Sequence, residues 1–422
     1  MILKHARYIG SDHLVHTGDI KISSSIIGEI ADNLASQGDE EMYDCSSYII
    51  IPSLSDCHVH TPDTLGRGLD RDLSLKQWCN DTVQGKLQKF IFDYLDNNVH
   101  TPAFRTLVLY SYIQYVRNGV SFIVETGEAD ESSPILQECA QQIGIKGIVD
   151  YYEQYPTDVA ETELICQGIH LPEEEELDQE GLLETRNHYE IDHPYLMTHC
   201  LETSWRRADI EKKFGLSTIE LLAREHMLGK ETILFHCVET TGQDIALLAK
   251  HQANVVHCPL SNLRSGAGSM NLCAMLQQGI NVVLGTDFAT HDIWDVMRAT
   301  YGELKQSLRQ NQYSADTVFD MATKHATVFS QKVGYSGQIE EGSSADLVFI
   351  RITDAISPLV SLPDFSNVLH NLVLYTRKDM IKSVMSNGKW ILKDNQFMTV
   401  DEEQVLKDYS LIVAQLFQDF QE

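Results

Sequence analysis

The 422-residue chain has no apolar run near the roughly 18 residues that a membrane-spanning helix requires. Its opening stretch, Met-Ile-Leu-Lys-His-Ala-Arg, lacks the charged region, apolar core and cleavage site of a secretory signal. Both absences argue for a cytoplasmic protein with no membrane partner. Cysteine occurs nine times, an odd number, and never as Cys-x-x-Cys. That pattern argues against a disulfide framework and suits reduced thiols in a reducing compartment. Positive charge is scarce. There are 32 Lys and Arg against 61 Asp and Glu, for a net charge of −29. So acidic a surface repels phosphate backbones, which argues against nucleic-acid polymers and anionic membranes as partners. A small heterocycle is admissible, because a pocket need not share the sign of the surface. Internal repeats are also missing.

What is present is a globular composition, 43% hydrophobic and 22% charged. The length fits one large α/β barrel with a smaller appended domain, or two to three ordinary domains. Residues 1 to 51 read as short strands and turns. Ile2–Ile9 is followed by a turn at Gly10-Ser11-Asp12, then by Val15 and Ile20–Ile27, with turn chemistry at Gly18-Asp19. From residue 52 the pattern becomes strands alternating with amphipathic helices. The first strand leads from Ile49–Ile51 into His58. It is followed by Val120–Val124, Ile145–Val149, Leu164–Ile169, Tyr195–Thr198, Thr232–Phe235, Asn254–Val256 and Asn281–Leu284. Helices fall between them, among them Pro102–Arg117, Ser217–His226, Gly242–His251 and Leu272–Gln278. Eight strands separated by helical sequence predict a closed (β/α)8 TIM barrel. After about residue 343 strands return at Asp346–Ile350, Leu372–Thr376, Ile381–Met385 and Trp390–Leu392, with a hairpin turn at Asn387-Gly388. A helix is predicted from Asp401 to the end. The acidic run Glu173–Glu176 reads as a solvated loop face rather than a functional patch.

Chemistry-bearing residues fall at the predicted strand ends. Ile51-Pro-Ser-Leu-Ser-Asp-Cys-His-Val-His60 closes the first strand, and alternate side chains of a strand share a face, so His58 and His60 project together. The pair alone decides little, because 17 histidines supply about 0.7 such pairs by chance. However, the fifth strand runs into His199-Cys-Leu-Glu202, the sixth into His236-Cys237 and the eighth into Gly285-Thr-Asp287. Catalytic groups of barrels sit at the C-terminal ends of strands, and four ends in register are hard to attribute to accident.

With these motifs the chain resembles the amidohydrolase superfamily. More narrowly, it is similar to the branch of triazine hydrolases, guanine deaminase and methylthioadenosine/S-adenosylhomocysteine deaminases. The matching set also includes Arg67-Gly-Leu69 with Asp72-Leu-Ser-Leu-Lys-Gln-Trp78, His257-Cys-Pro-Leu-Ser-Asn262 and the closing Gly342-Ser-Ser-Ala-Asp-Leu347. The resemblance implies a β-sandwich subdomain built from both chain ends, residues 1–51 plus 345–400. The barrel would then span residues 52–344 and a C-terminal helix residues 401–422.

Carried over residue by residue, the resemblance implies a single divalent metal, zinc or alternatively iron(II). His58, His60, His199 and Asp287 would hold it, and this donor set suits either ion. The implied reaction is aminohydrolysis. A metal-activated hydroxide displaces ammonia from an amino-substituted nitrogen heterocycle: a purine, pterin, pyrimidine, triazine or adenine nucleoside. Asp287 would take the water's proton, His236 would hold the nucleophile or polarise the attacked carbon's substituent, and Glu202 would be the general acid. Trp78, His170, His291 and Arg67 are the expected substrate-side residues, with Arg67 closer to an anchor for the loop carrying Trp78. The fourth strand carries no Lys, so a carboxylated-Lys binuclear centre is not expected, and Lys146 reads as a strand flank. Phe288 and His291 depart from the family pattern after Asp287, and Phe288 narrows the mouth. Glu125 stands between two readings, a substrate contact and an acceptor behind the ligands. Hydrolysis of the same ring with a halide or alkylamine leaving group is the alternative, and a non-catalytic scaffold is the second. A homodimer is the assembly that relatives suggest.

Overall fold

The computed structural model describes residues 1–36, 38–127, 129, 131–151, 161–192, 194–307, 312–362 and 364–421. Eight parallel strands form one sheet in sequence order: Leu54–Val59, Val120–Glu125, Lys146–Tyr151, Ile165–His170, Tyr195–Cys200, Thr232–His236, Asn254–His257 and Asn281–Leu284. They read as near-continuous apolar runs because both faces are covered. Phe122, Val124, Ile148, Met197, Ile233, Phe235, Val256 and Val283 fill the interior, and Phe329 and Tyr335 join that cluster. Ile123, Val149, Leu196, Leu234, Val255 and Val282 belong instead to the core shared with the helices.

The eighth strand meets the first without a regular ladder. Asp56 closes this seam, accepting from the Thr286 N–H at 2.8 Å and from the Thr286 hydroxyl at 2.7 Å. The Asp287 N–H donates to the His58 carbonyl at 2.8 Å. Two residues of the metal motif are thus tied together by the backbone that completes the barrel.

The two chain ends build a nine-stranded mixed sheet, in which Leu347–Arg351 pairs antiparallel with Tyr48–Pro52. Ile49–Ile51 therefore lies in this sheet, and the first barrel strand starts afresh at Leu54, two residues after Pro52. The stretch read as Ile20–Ile27 divides into strands Val15–Ser23 and Ile26–Ala31 around Ser24, whose φ is 57°. Gly18 and Asp19 lie within the first of these strands, not in a turn.

Leu372–Thr376 is also corrected: Val368–Tyr375 is a helix. Val368, Leu369, Leu372 and Val373 are its buried apolar residues, a helical spacing that a short apolar run does not distinguish from a strand. Lys146 is more than a flank. It is fully buried at the start of the third strand, and its ammonium donates to Asp346 at 2.9 Å, Ser344 at 2.8 Å and the Gly334 carbonyl at 3.1 Å. The helix Glu402–Asp419 packs on Pro102–Arg117, with Tyr110 and Tyr409 stacked 3.6 Å apart and Arg117 paired to Glu402.

Candidate metal centre and active site

The residues at the C-terminal strand ends converge on one point. His58 and His60 Nε2 lie 3.2 Å apart, and His60 and His199 Nε2 are also 3.2 Å apart. Asp287 Oδ1 stands 3.4 Å from His58 Nε2 and 3.2 Å from His60 Nε2. His236 Nε2 is 3.7 Å from Asp287 Oδ2. Ligand atoms of a tetrahedral zinc site, with bonds of about 2.0 Å, are separated by about 3.3 Å. The spacing therefore fits the coordination shell of one small cation.

The other ring nitrogens show why these lone pairs point inward. His60 Nδ1 donates to the Gly127 carbonyl at 3.2 Å and His199 Nδ1 to Glu173 at 2.6 Å. His236 Nδ1 donates to Asn262 at 2.8 Å, while His58 Nδ1 faces the Thr126 hydroxyl at 3.2 Å. A histidine whose Nδ1–H is engaged presents an unprotonated Nε2, the form that binds metal. Two such lone pairs 3.2 Å apart repel unless a cation lies between them, so the donor chemistry itself calls for one. Burial holds His58 well below the usual imidazole range, and it lowers His199 to about 4 despite Glu173 beside it. Burial pushes Asp287 upward, but His58, His60 and His236 overrule it and keep the carboxyl well below its ordinary range.

Glu202 follows the fifth strand and precedes the helix Ser204–Phe214. Thr203 caps that helix by accepting from the Arg206 N–H, which fixes Glu202 one residue before the cap and Arg206 in the first turn. Arg206 Nη1 donates to Glu202 Oε2 at 3.1 Å, and Glu202 lines the cavity. Burial raises the Glu202 carboxyl above its usual range, with Asp287 and Glu173 adding to the rise and His236 and Arg206 opposing it. A carboxyl whose protonated form is favoured by burial is suited to donate a proton.

The cavity beside these groups measures about 720 Å³. His60, His199, His236, Asp287 and Glu202 line its polar end, while Leu75, Trp78, Phe92 and Phe288 line its apolar wall. Trp78 packs on Phe288 with ring centroids 5.0 Å apart. Among the other expected substrate residues, His170, His291 and Arg67 do not line this cavity. His170 is buried behind it, with Nδ1 2.5 Å from Asp150 and Nε2 3.3 Å from Glu173. Burial opposes its charged form, but these two carboxylates raise it to about 9. His291 lies between Asp63 at 3.2 Å and Arg67 at 3.1 Å, and Arg67 also donates to the Ala289 carbonyl at 3.2 Å. These three groups join the loops after the first and eighth strands. Glu125 is fully buried and accepts from the Thr61 and Gly127 N–H groups and from Tyr112, so it shapes the loops around His60.

The acidic run overturns its reading as a solvated face. Glu173 orients His199 and pairs with Arg206 at 3.0 Å, and burial's upward push on it is overruled by His199 and Arg206. Glu174 is buried against the Leu201 N–H at 2.8 Å and the Thr218 hydroxyl. Glu175 and Glu176 line the cavity. The one signal in the sequence is Arg206, four residues after Glu202 and able to reach back along the helix.

The sequence model of the amidohydrolase family matches residues 49–391. A 5-methylthioadenosine/S-adenosylhomocysteine deaminase of Pyrococcus furiosus is 26% identical over 444 aligned residues, covering 98% of this chain and 100% of the relative. The fold resembles that of an adenosine deaminase from Xanthomonas campestris with bound zinc, with a TM-score of 0.86, 19% identity and coverage of 99% and 98% of the two chains. It also resembles an atrazine chlorohydrolase from Arthrobacter aurescens complexed with zinc, with a TM-score of 0.82, 17% identity and coverage of 98% and 99%.

Proposed function

The chain belongs to the amidohydrolase family, and on that premise we propose that it is a divalent-metal-dependent aminohydrolase releasing ammonia from an amino-substituted nitrogen heterocycle. The observation that carries the proposal is Glu202, a buried acid with a raised pKa in the same cavity wall as His60, His199, His236 and Asp287. A metal centre alone supports many hydrolyses, whereas a proton donor beside it suits an amine that leaves only when protonated. The relatives named as deaminases point the same way.

His58, His60, His199 and Asp287 would hold the cation, with zinc the better match to three imidazoles and one carboxylate. When bound, it supplies Lewis acidity and makes a water acidic enough to attack near neutral pH. Asp287 accepts that water's proton through a carboxylate oxygen. His236 Nε2, unprotonated while Nδ1 donates to Asn262, accepts a second hydrogen bond from the water and aims it. Glu202 gives its proton to a ring nitrogen as the carbon becomes tetrahedral, regains the proton that Asp287 took from the water and passes it to the departing amine; the hydroxyl proton released as the carbonyl forms returns Glu202 to its starting state. Trp78 and Phe288 cover the ring and exclude bulk water from it.

The test is ammonia release by zinc-loaded protein from a panel of purines, pterins, pyrimidines, triazines and adenine nucleosides. One strong substrate is expected, with activity lost in Asp287→Asn. Chloride or alkylamine release from the same rings, without ammonia from any of them, would replace this reading with hydrolysis of another leaving group.

A further inference from the structure

The polar wall of the cavity carries carboxylates. Glu173, Glu175 and Glu176 line it beside the proton donor Glu202, and Arg206 is the one Lys or Arg among the described lining residues. That cation is already taken. Its side chain is only 9% exposed, and its guanidinium serves Glu173 at 3.0 Å, Glu202 at 3.1 Å and Glu175 at 2.7 Å. Lys76, on the loop above, has its ammonium 5.5 Å from the Trp205 ring centroid. No Lys or Arg among the described lining residues is therefore left to receive an anion at the mouth.

The carboxylates also form a gradient. Side-chain exposure rises from 13% at Glu173 to 31% at Glu175, and Glu176 is exposed. Glu173 sits against His199, so Glu175 and Glu176 lie towards the mouth. The part of a substrate remote from the reacting carbon must pass there. Glu175 Oε1 accepts from Arg206, but Oε2 is shielded from solvent and has no hydrogen-bond partner among the described residues. Glu175 nevertheless lines the cavity with its side chain 31% exposed, so its carboxylate favours an incoming N–H or O–H there and opposes an anion. On the apolar side, Trp78 Nε1 is likewise shielded and unpartnered.

We infer that Glu175 is a specificity-determining residue, and that the substituent remote from the reacting carbon is neutral or cationic, offers a hydrogen-bond donor to Glu175 and carries neither phosphate nor carboxylate. This deepens the aminohydrolase reading and rests on its placement of the reacting carbon at the His/Asp cluster. The mechanism of selection is the one by which buried polar groups reject a ligand that leaves them unpaired or opposes their charge.

Three adenine compounds differing only at the 5′ position test it: adenosine with a hydroxyl, 5′-amino-5′-deoxyadenosine with an ammonium, and the nucleotide adenosine 5′-monophosphate. Ammonia release from zinc-loaded protein gives kcat/KM for each, and calorimetry gives the binding of their unreactive inosine products. The ammonium and hydroxyl forms should exceed the phosphate by at least about tenfold in both measurements. Glu175→Gln should shrink the ammonium-over-hydroxyl ratio at least about fivefold, and Glu176→Gln should shift it the same way by less. A ratio taken within one variant is unaffected by any loss of folded fraction. Phosphate within threefold of hydroxyl, or a ratio unmoved in Glu175→Gln, overturns the inference while leaving the aminohydrolase reading intact. Binding in the expected order without ammonia release upholds the inference and overturns deamination of these adenine compounds. Neither binding nor release for any of the three overturns the inference, while the aminohydrolase reading stands or falls on the wider panel of rings.

Discussion

The two ends of the barrel bury charge in opposite ways. At the N-terminal end, the Lys146 ammonium has three acceptors, among them the Asp346 carboxylate, and is closed from solvent. At the C-terminal end, His58, His60, His199 and Asp287 turn their remaining lone pairs towards one another. The first arrangement has every donor answered and holds the barrel to the sheet beneath it. The second is incomplete without a cation, and that incompleteness gives it chemistry. A buried charge is therefore informative only when its partners are counted.

The sharpest way to separate the ends is Glu202→Gln. It removes the transferable proton without adding bulk, and ammonia release should fall by about 10²- to 10⁴-fold with thermal stability nearly unchanged. Lys146→Met should do the reverse. It leaves Asp346 uncompensated and should lower unfolding free energy by about 3–5 kcal/mol in urea titration, with kcat of the folded fraction preserved. An unchanged urea midpoint would show that Asp346 finds other partners. Glu173→Gln sharpens the comparison from within the active end. Orienting a ligand through its second nitrogen is typically worth about 10- to 100-fold in metal affinity, read by competition with a chelator.

The smallest effect concerns Glu174, pushed up to about 7 by burial against the opposing Thr218 and Leu201 hydrogen bonds. In the unfolded chain this carboxyl ionises near its ordinary 4.5, so the folded form binds the extra proton. Stability should therefore fall as pH rises from about 4.5 to 7, by up to a few kcal/mol. Glu174→Gln should flatten the profile of urea midpoint against pH over that window. A slope that persists would assign it to the other carboxyls that burial raises, among them Asp56 and Glu125, both pushed up to about 7, and Asp150 and Glu202.

The strands of the barrel were legible because parallel strands covered on both faces leave nearly unbroken apolar runs, and Val120–Glu125 and Asn281–Leu284 read almost to the residue. Val368–Tyr375 was not, since a run of Val, Leu and Tyr is compatible with either period until something packs against it. Glu173–Glu176 misled for the opposite reason. Four consecutive acids look solvated, and only the arrival of His199, Arg206 and Thr218 from later in the chain makes Glu174 a buried acceptor and Glu173 a largely buried one.

By itself, the sequence determined the alternation of strands and helices, and with it the strand ends at which His58, His60, His199, His236, Glu202 and Asp287 fall. Those are local properties, fixed by periodicity and by residues a few positions apart. Tertiary structure alone decided which nitrogen of each histidine faces inward, that Arg206 is shared by three carboxylates, and that His170, His291 and Arg67 stand behind the cavity rather than in its lining. Most of these depend on hydrogen-bond partners tens to hundreds of residues away, and spacing along a chain carries no record of them.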